Sequence, residues 1–288
     1  MPWPSSHRGR RAPASVVGLL VVLTACTPGA AAPIAAPSSA VPPATTTTAP
    51  DPAAPVTDLP GWTLQLHEDF TTDAALGDFD SVYPGWAAYD GYRDTSRVNG
   101  RPLESQGRYA SDTTTTVHDG TADMEVHTEG VTPQVMALTP GPAQVGQLYG
   151  RYSIRVRSDR AADFKFAFLL WPVSEQWAQG ELDFPEATLG DDVYGYAHDV
   201  TGDPSRNAWS VRTGSDMSSW HTATIEWEPG RVTYVLDDLS WTTTDPAAVP
   251  THPMRPVVQV ETQVTAQPPD PAVRAHVLVD WIAVWSRD

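Results

Sequence analysis

From Gly61 onward the apolar residues of this chain recur at every second position, in short runs separated by Gly, Pro, Asp and Asn. Successive side chains of an extended backbone point to opposite faces, so a period of two predicts strands that bury one face each. Trp62-Thr63-Leu64-Gln65-Leu66-His67 alternates in this way, and between Tyr149 and Arg157 the arginines and Ser153 alternate with Tyr152, Ile154 and Val156. Phe164 to Trp171 is apolar nearly throughout, the pattern of a strand covered on both faces. Glu228-Pro229-Gly230 joins two alternating runs as a hairpin would. No stretch of comparable length carries an amphipathic helix. Residues 61–288 are enough for one sizeable core, and many strands spaced by turns predict an all-β sandwich or jelly roll.

The chain before Gly61 reads differently. Arg8, Arg10 and Arg11 precede the apolar run Val16 to Ala25, too short to span a bilayer unaided and built like an export signal over residues 1–25. Leu23-Thr24-Ala25-Cys26 resembles a bacterial lipobox, in which the cysteine is lipidated and becomes the new N-terminus. Cys26 is the only cysteine in 288 residues, so no internal disulfide forms, and lipidation accounts for an otherwise free thiol in an exported chain. A simple secretory signal with an incidental cysteine is the plainer alternative. Residues 26–60 are rich in Ala, Pro, Thr and Ser and bury too little to order themselves, which predicts a stalk between the membrane and a catalytic domain at 61–288.

Within that domain Glu181-Leu182-Asp183-Phe184-Pro185-Glu186 places three carboxylates in six residues. On a strand Glu181 and Asp183 share a face while Leu182 and Phe184 point into the core. Glu186 would fall on the wrong side unless the strand holds one extra residue, a β-bulge, and Pro185 fits a position whose amide is unpaired. A pair of carboxylates on one face suits retaining glycoside cleavage, one as nucleophile and one as acid, and crowding raises the pKa of whichever ionises last. Glu181 is expected to be the nucleophile, Glu186 the acid/base, and Asp183 the residue that hydrogen-bonds a neighbour between them. The bland reading is a solvated acidic edge, in a chain with 35 Asp and Glu against 18 Lys and Arg. The intervening Leu and Phe and the tryptophans just upstream speak against it.

The segment resembles the Glu-x-Asp-x-x-Glu signature of glycoside hydrolase family 16 in its bulged, laminarinase-like form. Tyr149 to Arg157, Leu170-Trp171-Pro172 with Trp177, Trp220 to Val232, and Val279 to Trp285 are similar to the strands that flank that signature. The stretch Val257 to Val264 differs, lacking the Gly-Gly and Trp of many laminarinase-like members. The resemblance implies a concanavalin A-like jelly roll of two curved antiparallel sheets with substrate across the concave face, and the same roles for Glu181, Asp183 and Glu186.

A polysaccharide cleft needs aromatic platforms beside polar partners. Trp171 and Trp177 are the expected platforms, His198 a substrate contact by the family resemblance, and Gln259 and Glu261 contacts from the polar face of an alternating strand. Trp62, Trp227, Trp281 and Trp285 read as core, and Arg155 as an ion-pair partner. No His or Cys spacing suggests a catalytic metal, and no cofactor is expected, although a structural calcium ion occurs in some relatives. A net charge of −17 argues against nucleic acid. The expectation is a monomeric retaining endo-β-glycan hydrolase acting on an extracellular or cell-envelope polysaccharide, touching the membrane only through its lipid anchor. A transglycosylase using the same acids and a non-catalytic surface lectin are the alternatives.

Overall fold

The alternating runs become strands. The computed structural model describes residues 53–96, 102–141, 146–263 and 267–288. The expected export signal, Cys26, most of the linker, and Val264 lie outside the described residues. In chain order the strands are β1 (Trp62–Glu68), β2 (Ala87–Ala88), β3 (Arg108–Tyr109), β4 (Thr115–His118), β5 (Thr121–Glu129), β6 (Thr132–Thr139), β7 (Gly150–Ser158) and β8 (Ala161–Pro172). They continue as β9 (Leu182–Leu189), β10 (Asp192–His198), β11 (Asn207–Asp216), β12 (His221–Glu228), β13 (Arg231–Leu236), β14 (Leu239–Thr243), β15 (Met254–Thr262) and β16 (Ala275–Arg287). The α-helices among the described residues, Phe79–Val82 and Ser111–Thr114, are single turns.

One sheet runs β4-β5-β16-β7-β12-β13-β14, with β1 continuing the β5 edge of the long strand β16. The other runs β11-β10-β9-β8-β15-β6-β2. Pairing is antiparallel throughout except for the short parallel contact of β3 with β6. The β5–β6 hairpin links the two sheets at one end. Between β12 and β13, Glu228 pairs with Arg231 across a two-residue turn, where Pro229 presets its own φ and Gly230 takes φ +72°, open to glycine without strain.

The core fills the space between the sheets. Phe164, Phe166, Phe168 and Leu170 on β8 face inward toward Tyr152, Ile154 and Val156 of β7, and all seven are fully buried. Trp227, Trp281 and Trp285 are buried as expected, and Trp227 donates to the Pro250 carbonyl at 2.9 Å. Arg155 pairs with Asp280 at 2.8 Å.

The linker, expected to reach Pro60, ends earlier among the described residues. Trp285 Nε1 donates to the Thr57 carbonyl at 3.1 Å, Leu64 N–H donates to Asp58 at 2.8 Å, and Leu59 and Ala54 pack with Trp62 against Trp281 and Trp285. Leu59 and the two tryptophans supply the apolar area that the preceding Pro, Ala and Thr residues lack.

Candidate active site

The register of β9 carries the site. Against β8, Leu169 pairs with Asp183 and Ala167 with Glu186, so three residues of β8 face four of β9. Against β10, Tyr196 pairs with Asp183 and Tyr194 with Glu186, again three against four. The extra residue lies between Asp183 and Glu186, where the Phe184–Pro185 bond is cis. It brings Glu186 to the face of Asp183 and Glu181, while Leu182 and Phe184 remain fully buried in the core. Phe184 stacks flat on Tyr234 of the facing sheet, centroids 4.7 Å apart and planes 1° apart. The Tyr234 hydroxyl donates to the Tyr196 carbonyl at 2.5 Å. Gly195 allows this approach, since a Cβ there would lie 2.6 Å from the Tyr234 ring and 2.7 Å from Phe184.

His198 joins the acids from β10. Its Nδ1 lies 2.6 Å from the Pro204 carbonyl and so carries hydrogen as donor, which turns Nε2 toward Asp183 at 3.2 Å and Glu181 at 3.7 Å. Burial alone would lower the imidazole, but the bond to Asp183 and the charges of Asp183 and Glu181 outweigh it and raise it to about 9. His198 is therefore a cation at neutral pH. The Trp177 ring lies 5.6 Å from the His198 ring, at the Glu181 end of the trio.

At the other end, Lys165 of β8 reaches Glu186 at 3.9 Å and Glu261 at 3.1 Å. Burial and the neighbouring Asp183 push Glu181 up to about 8. Burial also pushes Glu186 up, to about 7, with Lys165 favouring its ionised form. Both carboxyls are thus raised by burial, with His198 and Lys165 acting in the opposite sense on each.

Beside Glu186 lies a pocket of about 330 Å³, lined in part by Lys165, Thr188, Tyr194, Tyr196 and Gln263. That is near the lower end of the volumes small ligands occupy. The Tyr194 and Tyr196 rings stand parallel, 6.0 Å apart, as an aromatic wall. Burial and Glu186 raise the Tyr196 hydroxyl to about 12, so it stays a hydrogen-bond donor. These tyrosines were not singled out in the sequence, although they share the alternating face of His198.

Trp171 follows the Leu170–Leu182 pair on β8, and its Nε1 donates to Glu175 at 2.8 Å. Glu175 in turn pairs with Arg255, which also bonds the Tyr89 hydroxyl. Gln259 is half-buried and donates to the Tyr109 hydroxyl at 3.1 Å. Glu261 departs from its expected place as a sugar contact, for it is 0% exposed. Its carboxylate receives Thr95 N–H at 2.9 Å, Thr95 Oγ1 at 2.7 Å, the Tyr109 hydroxyl and the Lys165 ammonium. It meets protein on every side because residues before β3 fold over β15. Lys165 escaped the sequence reading, since a lone polar residue in an apolar run reads as an interruption; that it is the only lysine in the chain was the available signal.

A curved β-sandwich with a row of three neighbouring carboxylates on one face of a sheet defines a carbohydrate-cleaving class of enzyme. The chain belongs to glycosyl hydrolases family 16, whose model matches residues 111–283, and it is a glycoside hydrolase of that retaining, laminarinase-like family. Its fold is similar to that of a non-specific endo-β-1,3(4)-glucanase, at 17% identity, TM-score 0.63, covering 81% of this chain and 94% of the other. It is also similar to the laminarinase from Flavobacterium sp. UMI-01, at 17% identity and TM-score 0.62, covering 78% and 100% of the two chains. A third similar structure is the laminarinase from Rhodothermus marinus, at 20% identity and TM-score 0.62, covering 79% and 98%. A mutant of the first glucanase holds 1,3-β-D-cellobiosyl-glucose at its active site. No curated protein matches the chain.

Proposed function

We propose that the chain is an exported, endo-acting hydrolase of a β-linked glucan or related envelope polysaccharide, working by double displacement. The carrying observation is the bulge that sets Glu181, Asp183 and Glu186 on one face, with a cation at each end of the row. In this reading Glu181 attacks the anomeric carbon and forms a glycosyl ester, while Glu186 gives its proton to the departing oxygen. Glu186 then takes a proton from water, which attacks the same carbon and releases Glu181. Asp183 holds the protonated His198, and that cation steadies the Glu181 carboxylate.

The reactive form has Glu181 ionised and Glu186 protonated. Positive charge developing at the anomeric carbon beside Glu181 favours its ionised form. The leaving sugar fits the pocket walled by Tyr194 and Tyr196, and Trp177 offers a ring face at the opposite end. Support for a glucan comes from the activities named for the similar structures.

Glu181→Gln and Glu186→Gln are each expected to lower release of reducing ends from laminarin or mixed-linkage glucan by about 1,000-fold or more, with oligosaccharide binding retained. A wild-type protein that releases nothing from a panel of glycans of defined linkage would overturn the reading in favour of a lectin. The leader and Cys26 support display at the outer face of the cell membrane through a lipid. Cys26→Ser should move the protein from the membrane fraction to the medium, and an unchanged distribution would refute the anchor.

A further inference from the structure

Among 18 basic residues the chain uses arginine 17 times and lysine once, at position 165, in the middle of the candidate active site. Arginine and lysine are not equivalent there. A guanidinium offers a planar fork that grips a carboxylate with two bonds, whereas an ammonium is a compact charge whose donors can serve separate partners. Lys165 is only 19% exposed at its side chain, sits 3.1 Å from the wholly buried Glu261, and stands 3.9 Å from Glu186. Glu261 is itself fixed by Thr95 and Tyr109, and Gln259 steadies Tyr109. The ammonium is thus committed to an anchor on β15 and held short of a full ion pair with Glu186.

We propose that Lys165, anchored by Glu261, is a positioning residue for Glu186, locating its carboxylate on the sheet and setting the pH at which it exchanges its proton. This rests on the reading of Glu186 as the acid/base. Without a compensating anchor, a buried ammonium beside Glu186 would hold that carboxylate ionised at neutral pH and leave no proton for the leaving oxygen. With no ammonium, Asp183 and Glu261 would face Glu186 as bare negative charges, and Glu186 would hold its proton too tightly to give it to the leaving oxygen. The other titratable groups turned toward Glu186 or its pocket are Tyr194, Tyr196 and His198 on β10, Asp191 and Asp192 where β9 turns into β10, and Glu181 at the far end of the row. Among these the ammonium is the cation nearest to Glu186, and Glu261 is the charge that tempers it.

Lysine labelled with ¹⁵N at its side chain gives one ammonium signal in this protein, so its titration can be followed without assignment. The signal should shift through the ionisation of Glu186, and that inflection should vanish in Glu186→Gln. Glu261→Gln should move the high-pH limb of kcat/KM down by about 1 unit, and the Lys165→Met/Glu261→Gln double variant should move it up by about 1 unit. Lys165→Arg should keep the limb near its wild-type place while lowering kcat. A Lys165 signal blind to Glu186, or limbs unmoved in both folded variants, would overturn the proposal. The ammonium titration needs no turnover, so a protein that cleaves no glycan would fail the functional reading and still decide this one.

Discussion

Glu181, Glu186 and His198 all have raised proton affinities, and the sign of their effect on stability follows. A carboxylate raised by burial stabilises the fold fully below its ordinary value of 4.5, and that contribution is lost as pH rises toward about 8 for Glu181 and about 7 for Glu186. His198, raised from 6.5 to about 9, adds stability below 6.5 that is lost as pH passes 9. The three act in the same direction, so the domain should be more stable at pH 5 than at pH 9. Glu181→Gln removes the burden of an ionised buried carboxylate. It is expected to raise Tm by about 3 °C at pH 9 and to leave Tm at pH 4 unchanged, as read by calorimetry across that range. An equal gain at both pH values would show that Glu181 keeps an ordinary carboxylate affinity. The same residues set the activity profile. Two raised carboxyls that must share one proton in the reactive form give kcat/KM a bell shape whose maximum lies above the ordinary carboxylate range.

At the scale of elements the bulge in β9 decides the site, and the packing beneath it keeps the bulge in place. Phe184, Tyr234 and the bare Cα of Gly195 form a stack with no spare volume. Gly195→Ala would push a methyl against both rings, and the displaced Phe184 would drag the bulge with it. The expected result is a Tm lower by about 5 °C and a kcat lower by about tenfold with KM less affected, since the acids would shift relative to one another. Thermal melts with steady-state kinetics check it, and unchanged kcat would free the bulge from this support. Alternation and the three acids made this strand readable in sequence, because a period of two and one misplaced carboxylate admit few arrangements. Gly195 was not readable as a packing position, because the space it opens belongs to Tyr234, 39 residues away on the other sheet. Glu261 misled for the related reason that alternation tells which face a residue takes but not whether another segment covers that face. Lys165 lay hidden in an apolar strand, flanked on its own face by the buried Ala167 and Leu169.

At the scale of the molecule the informative error is the domain boundary. Composition places the end of the linker at Pro60, since Pro, Ala and Thr continue almost to Leu59 and local pattern reveals no partner. The partners are at the opposite end of the chain, on β16. Leu59 and Ala54 cover Trp281 and Trp285, Thr57 accepts the indole N–H of Trp285, and Asp58 accepts the amide of Leu64. These contacts close the outer side of the sheet that does not carry the acids. Removing residues 53–60 would uncover two indoles and give up the Trp285 N–H bond to Thr57, a loss of apolar burial and of one part-buried hydrogen bond worth about 2–4 kcal/mol together. A protein beginning at Gly61 is therefore expected to melt about 5–10 °C below one beginning at Ala53. Because the acids stand on the other sheet, kcat at low temperature should be the same for both. Equal melting temperatures would return residues 53–60 to the linker, and a lowered kcat would show that the two sheets are coupled more tightly than their separate registers imply.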